Sequence, residues 1–117
     1  MDVRVAMIVI DCADPLSLSD FWSQATGYAV DHADEQWVTI REAGTPAAVS
    51  VGFQRVPETK AVKNRVHVDL HTDDEEREAQ RIEELGATRI YVSEDPNDVF
   101  ITLADPEGNE FCVCRAD

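Results

Sequence analysis

Arg65-Val66-His67-Val68-Asp69-Leu70-His71-Thr72-Asp73-Asp74-Glu75 is the stretch on which the reading of this chain turns. Its first seven residues alternate between polar and apolar side chains, the period of a half-buried strand, and a strand is expected over Arg65–Thr72. Thr72-Asp73-Asp74-Glu75 then has the Ser/Thr-x-x-Glu form of a capping box, which opens a helix. The same order stands earlier in the chain. Arg4–Asp11 is an apolar, β-branched strand, and Asp14 caps a helix with Pro15 in its first turn, where the missing N–H costs nothing. Asp14 and Asp74 hold the same place, so the chain repeats with a period of 60 residues.

Both copies continue alike. In the first, Leu18, Phe21, Trp22 and Ala25 fall on one buried helical face, and Gly27 ends the helix in a left-handed conformation. Strands follow at Tyr28–Asp31, Trp37–Arg41 and Ala47–Val56, separated by the turn residues Asp34-Glu35 and Gly44-Thr45-Pro46. In the second, the helix runs to about Leu85 with Ala79, Ile82 and Leu85 inward, and Gly86 stops it. Three strands follow at Thr88–Ser93, Val99–Ala104 and Glu110–Arg115, with Asp105–Asn109 as a structural turn. The pattern is βαβββ twice: an α+β fold of two modules, residues 1–58 and 65–117, in a single domain spanning 1–117, with Pro57–Asn64 as a short polar connector. Two copies are too few for a solenoid, and two such units pair naturally so that their concave sheet faces enclose a pocket.

Composition narrows the partners. Acidic residues outnumber basic ones 24 to 10, a net charge of −14 in 117 residues, which repels nucleic acid and anionic lipid. The longest apolar run, Val5–Ile10, is far short of the roughly 20 residues that span a bilayer. The start of the chain lacks the pattern of a signal peptide, and three cysteines (Cys12, Cys112, Cys114) cannot all pair, so a reduced, cytoplasmic setting is expected.

Strand alternation then sorts the side chains. Val66, Val68 and Leu70 are expected under the second helix, and His67, Asp69 and His71 in the cavity. The alternative is a wet sheet face with ordinary histidines. His67 and His71 lie about 13 Å apart along a strand and cannot share an ion, while His67 with Asp69, or Asp69 with His71, about 7 Å apart, would just converge, neither pair sufficing alone. On the last strand Glu110, Cys112 and Cys114 share one face, and Phe111 and Val113 the other. Cys112 and Cys114 read as free cysteines rather than a metal pair. Trp37 either lines the cavity or packs at its rim, and His32 sits in a solvated turn.

Asp11-Cys12-Ala13-Asp14-Pro15, Phe21-Trp22, Gly27, Val51–Glu58, Lys63–Leu70, Leu85-Gly86-Ala87 and Asp105-Pro106-Glu107-Gly108-Asn109-Glu110-Phe111-Cys112 together resemble the glyoxalase-like and bleomycin-resistance-like proteins of the vicinal oxygen chelate superfamily. The likeness covers nearly the whole chain. It implies paired βαβββ modules, the fold of glyoxalase, bleomycin-resistance and dihydroxybiphenyl dioxygenase proteins, and a homodimer. Metal-dependent members carry ligands on strands one and four of each module, and the matching positions here are Met7, Gln54, His67 and Cys112. Only His67 is an orthodox ligand of a hard cation. The resemblance therefore implies a protein that binds a small organic molecule without a catalytic metal or other cofactor, in a sequestering, resistance or accessory role. Its cavity is expected to be lined by Met7, Val9, Trp37, Gln54, His67, Asp69 and Cys112. The alternative is a lyase, isomerase or dioxygenase that uses a divalent metal on His67, or uses His67 as a general base oriented by Asp69. Asp69 is not expected to join a metal site easily, because of its 7 Å strand spacing.

Overall fold

A computed structural model describes residues 2–116. The chain divides into two compact units, Met1–Thr59 and Lys60–Asp117, each with four strands and one helix.

In the first unit the order is β1 (Met7–Cys12), α1 (Pro15–Thr26), β2 (Ala29–Ala33), β3 (Trp37–Arg41) and β4 (Ser50–Arg55). The sheet runs β1-β4-β3-β2, with β1 parallel to β4 and the other pairs antiparallel. Asp14 caps α1 by accepting a hydrogen bond from the Ser17 amide at 3.2 Å, Pro15 opens the first turn, and Gly27 closes the helix at φ 79°. Leu18, Phe21, Trp22 and Ala25 are buried, as their spacing requires, and α1 packs on β3 and β4. Val38, Ile40 and Phe53 complete this core at 1% exposure or less.

The second unit repeats the plan with β5 (Asp69–Thr72), α2 (Glu75–Glu84), β6 (Thr88–Val92), β7 (Phe100–Ala104) and β8 (Glu110–Arg115), in the order β5-β8-β7-β6. Ala79, Ile82, Ile101, Leu103, Phe111 and Val113 form its core. Even the irregularity is duplicated: β2/β3 shifts register between Val30 and His32, and β6/β7 shifts between Arg89 and Tyr91. The α+β reading of two βαβββ modules therefore holds.

Several local expectations change. The α2 cap is Asp74, whose carboxylate accepts from the Arg77 amide at 3.2 Å; Thr72 is still in β5, and its hydroxyl accepts from the Asp74 amide instead. Leu85 is only half-buried and is the C-cap of α2 rather than part of its inward face. The strand predicted over Arg65–Thr72 begins at Asp69, after a bend at residues 65–66. Val66 consequently misses the core and is 72% exposed. His32 belongs to β2 rather than to a turn, and its Nε2 meets Asp34 at 2.8 Å on the surface. That imidazole, with the amides of Gln36 and Trp37, holds the Asp34 carboxyl below the usual carboxylate range.

Candidate functional site

Each sheet has one face under its helix and one face free of it. In the second unit β5 and β8 run parallel, with Asp69 opposite Cys112 and His71 opposite Cys114. Phe111 and Val113 point to the core, so Cys112 and Cys114 necessarily point away from it. A cavity of about 360 Å³ lies over this face, lined by Lys63, His67, Asp69, Phe100, Cys112 and Cys114 among others. Thr102 and Asp98 also contribute, and the Thr102 hydroxyl lies 3.4 Å from the Cys112 sulfur.

The bend before β5 matters here. His67 is outside the regular strand, so the two-residue strand spacing does not separate it from Asp69. Its Nε2 is 3.4 Å from the Asp69 carboxylate, and both side chains are half exposed. The pair expected to just converge from a 7 Å strand spacing thus meets because His67 has left that spacing. Donor atoms of His67, Asp69 and Cys112 all lie within 4.8 Å of one another. His71 is exposed and takes no part in that cluster.

The electrostatics separate the remaining groups. Burial pushes the Cys114 thiol up to about 11, helped by Asp69, Cys112 and Asp98, so it stays protonated at neutral pH. Burial also pushes Glu110 up, but the Asn64 amide and the Lys60 ammonium outweigh it and hold the carboxyl below its ordinary range. Lys60 Nζ is 3.1 Å from that carboxylate, and the Asn64 amide donates to it at 3.2 Å. Glu110 is therefore committed to tying residues 60–64 to β8.

The other four expected lining residues stand on the first sheet. Met7, Val9 and Gln54 share the face turned away from α1, and Val9 is 43% exposed. Trp37 joins them with its indole lying across Gly52; a Cβ there would come within 2.6 Å of the ring and 2.9 Å of the Met7 sulfur. These residues are not in the lining of the second-unit cavity. The register makes Gly52 the internal counterpart of Cys112, since Val9 faces Gly52 as Asp69 faces Cys112.

Lys63, Asp98, Phe100, Thr102 and Cys114 were not anticipated as lining residues. Phe100 had a signal: it faces Cys114 across the sheet as Trp37 faces Gln54. The 60-residue offset fails for this strand, because β3 and β7 start 63 residues apart. The loop between β3 and β4 is three residues longer than the turn between β7 and β8, which hid the equivalence.

The chemistry of the donors decides which cations the site suits. A thioether, a carboxamide, an imidazole and a thiol, from Met7, Gln54, His67 and Cys112, do not fit a hard divalent cation of the kind the superfamily resemblance brings with it. The imidazole, carboxylate and thiol of His67, Asp69 and Cys112 do fit zinc, which accepts all three ligand types.

A family model described as "Glyoxalase-like domain" matches residues 7–114. No curated protein matches the chain. Among solved structures, a glyoxalase/bleomycin resistance protein/dioxygenase family enzyme from Burkholderia phytofirmans PsJN superposes with a TM-score of 0.79 at 18% identity, covering 97% of this chain and 98% of that one. A fosfomycin resistance protein from Mesorhizobium loti gives 0.76 at 14% identity, covering 100% and 94%. The bleomycin-binding protein of Streptomyces verticillus, solved with copper(II)-bleomycin, gives 0.69 at 15% identity, covering 100% and 99%. At these identities the likeness is one of fold.

Proposed function

Because the chain belongs to the glyoxalase-like domain family, within the vicinal oxygen chelate superfamily, we propose that it binds a small organic molecule in the cavity of its second module. The observation that carries this reading is the cavity of about 360 Å³, lined by an aromatic ring (Phe100) and by His67 and Asp69, whose Nε2 and carboxylate lie 3.4 Å apart. That combination of apolar lining with a few placed polar groups, at that size, is what small-molecule sites offer. His67 supplies a ring nitrogen to the ligand, and Asp69 orients the ring. The proposed role is sequestration or an accessory one rather than catalysis by a hard cation, for the donor-set reason given above. The bleomycin-binding protein of like fold is the precedent for such a binding role.

A thermal-shift screen of small aromatic compounds, cationic, neutral and anionic, tests this with chelator present. The expected result is a set of compounds that raise the unfolding midpoint, with the rise abolished in Phe100→Ala and His67→Ala. A rise that survives in both variants, or no rise at all, overturns it.

A second reading, a metal-dependent lyase, isomerase or dioxygenase, draws support from the convergence of His67, Asp69 and Cys112. Conversion of a cavity ligand that depends on added divalent cation and vanishes in His67→Ala would put it first.

We also propose a homodimer in the cytoplasm. Supporting the dimer, β2 is a sheet edge exposed along its whole length, and Ile90, Tyr91 and Val92 on edge strand β6 are each about half exposed. Light scattering should give twice the 13.0 kDa chain mass at micromolar concentration, and a 13.0 kDa particle would refute it. No helix among the described residues is long and apolar enough to cross a membrane.

A further inference from the structure

We propose that Glu110 sets which sizes of molecule the second-module cavity admits, by latching residues 60–67 against β8 as a movable wall. The cavity is that of the ligand-binding reading, on which the use of the latch rests, but the latch itself is tested without a ligand.

The wall is a strap. Residues 60–68 form neither helix nor strand and lead from the start of the second unit into β5. Two of their side chains, Lys63 and His67, line the cavity. The strap has no apolar anchor: Val62 and Val66 are 75% and 72% exposed, and from Lys60 to His67 every residue but Asn64 is exposed. Among the described residues, no backbone–backbone hydrogen bond fastens 60–67 to the sheet. The first such bond comes at Val68, whose carbonyl accepts from the Cys112 amide at 3.0 Å. Val68 is therefore the hinge end, and everything before it is held through side chains.

Those holds converge on one residue. Lys60 Nζ lies 3.1 Å from one Glu110 carboxylate oxygen and 3.3 Å from the other, and it also donates to the Val62 carbonyl. The Asn64 amide donates to the same carboxylate at 3.2 Å, and the Asn64 side chain donates to the Glu110 carbonyl at 3.0 Å. Among the described residues the one further tie is His67 Nε2 to the Asp69 carboxylate, 3.4 Å apart and both half exposed. A segment with a few polar bonds and little buried surface opens locally, at less cost than unfolding the whole domain. Glu110 itself is fixed in β8, where it pairs with Ala104, so it stays in place when the strap lifts. Lifting takes Lys63 and His67 out of the wall together and widens the cavity. The strength of the latch thereby sets the size limit.

The test uses the full chain and two readouts. Trypsin cleavage after Lys63 and Arg65 reports opening of the strap, because cleavage follows the open population when reclosing is fast. Cleavage after Arg81 in α2 reports global unfolding. Glu110→Ala should speed strap cleavage by roughly 10–100-fold, the worth of a hydrogen bond to a charged group, while cleavage after Arg81 stays constant. Lys60→Met should act in the same direction. Glu110→Gln keeps an acceptor for the Asn64 amide but loses the charge that holds Lys60, so it should fall between wild type and Glu110→Ala. For the cavity, a small maleimide and one carrying a bulky dye label Cys112 and Cys114, with buried Cys12 as reference. The ratio of bulky to small labelling cancels differences in thiol reactivity, and it should rise from wild type through Glu110→Gln to Glu110→Ala. Strap cleavage unchanged in Glu110→Ala, cleavage that rises only in step with that after Arg81, or a labelling ratio that does not move would each overturn the proposal. None of these outcomes bears on the thermal-shift screen, so the two readings fail separately.

Discussion

Gly52 marks the point where the two modules differ most sharply at the level of a single residue. Where the second sheet has the Cys112 side chain, the first has none, and the Trp37 indole fills the place. Gly52→Ala should drive the ring off the sheet, since its Cβ would stand 2.6 Å from Cη2. Overpacking of this kind costs about 1–3 kcal/mol, at the lower end where a ring edge can give way. The emission of Trp37 should shift to the red while buried Trp22 stays constant; unchanged emission would show that the indole does not rest there. Glu75 is a second residue with a measurable consequence. It is buried at the start of α2, and Arg115 Nε donates to its carboxylate at 2.6 Å. That hydrogen bond holds its carboxyl below the ordinary value of 4.5. A depressed carboxyl stabilises the fold fully above its unfolded value and loses that contribution as pH falls through the folded value. Glu75→Gln should therefore unfold earlier than wild type at pH 7, with the difference closing as pH drops below 4.5. A difference that is constant from pH 7 to pH 3 would show that the charge has no part in it.

Among the elements, the turn joining β7 to β8 is the one whose chemistry is most fully set by its residues. Asp105 is buried and accepts from the amides of Glu107 and Asn109, both at 2.9 Å, and Gly108 sits at φ +88°. Gly108→Val forces a β-branched side chain into that region and should cost about 1–3 kcal/mol, read as a lower unfolding midpoint, with ligand affinity unchanged. An unaltered midpoint would deny the strain. This turn was legible in Asp105-Pro106-Glu107-Gly108-Asn109 because Asp105 accepts from the turn's own amides, Pro106 presets φ and Gly108 takes the positive φ. The helices were legible for the same local reason, through Asp14, Pro15, Gly27 and the spacing of Leu18, Phe21, Trp22 and Ala25. The site was legible only in part. Alternation sent Asp69 and Cys112 to the face away from the core, and the cavity lies over that face. It failed at the start of β5, because period two holds only while the backbone is regular, and the bend at residues 65–66 lets His67 reach Asp69. Phe100 was missed because loops of unequal length slid β7 out of step with β3, and loop length is not encoded in strand pattern.

Across the whole molecule, one duplicated plan carries two different sheet faces. The first is thioether, indole and amide, from Met7, Trp37 and Gln54; the second is imidazole, carboxylate and thiol. Duplication preserved what the fold needs, down to the shared register shift in β2 and β6, while the free faces diverged. The charge of −14 belongs to the molecule as a whole and gives it a global, testable property. Raising ionic strength from about 0.01 M to about 0.1 M shortens the Debye length from about 30 Å to about 10 Å. Two effects then oppose each other. Screening weakens surface pairs such as Arg41–Asp31 and Arg89–Glu83, but such pairs are worth only about 0–1 kcal/mol each, and charges in contact are screened least. Screening also relieves repulsion among 24 acidic groups set against 10 basic ones, which acts over the longer distances that salt shortens most. Repulsion should dominate, so the unfolding midpoint at pH 7 should rise with salt. Near pH 4.4, where net charge vanishes, the same salt should bring no gain, because only the attractive pairs remain to be screened. A midpoint at pH 7 that falls with salt would mean that the ion pairs, not the excess of carboxylates, govern the stability of this fold.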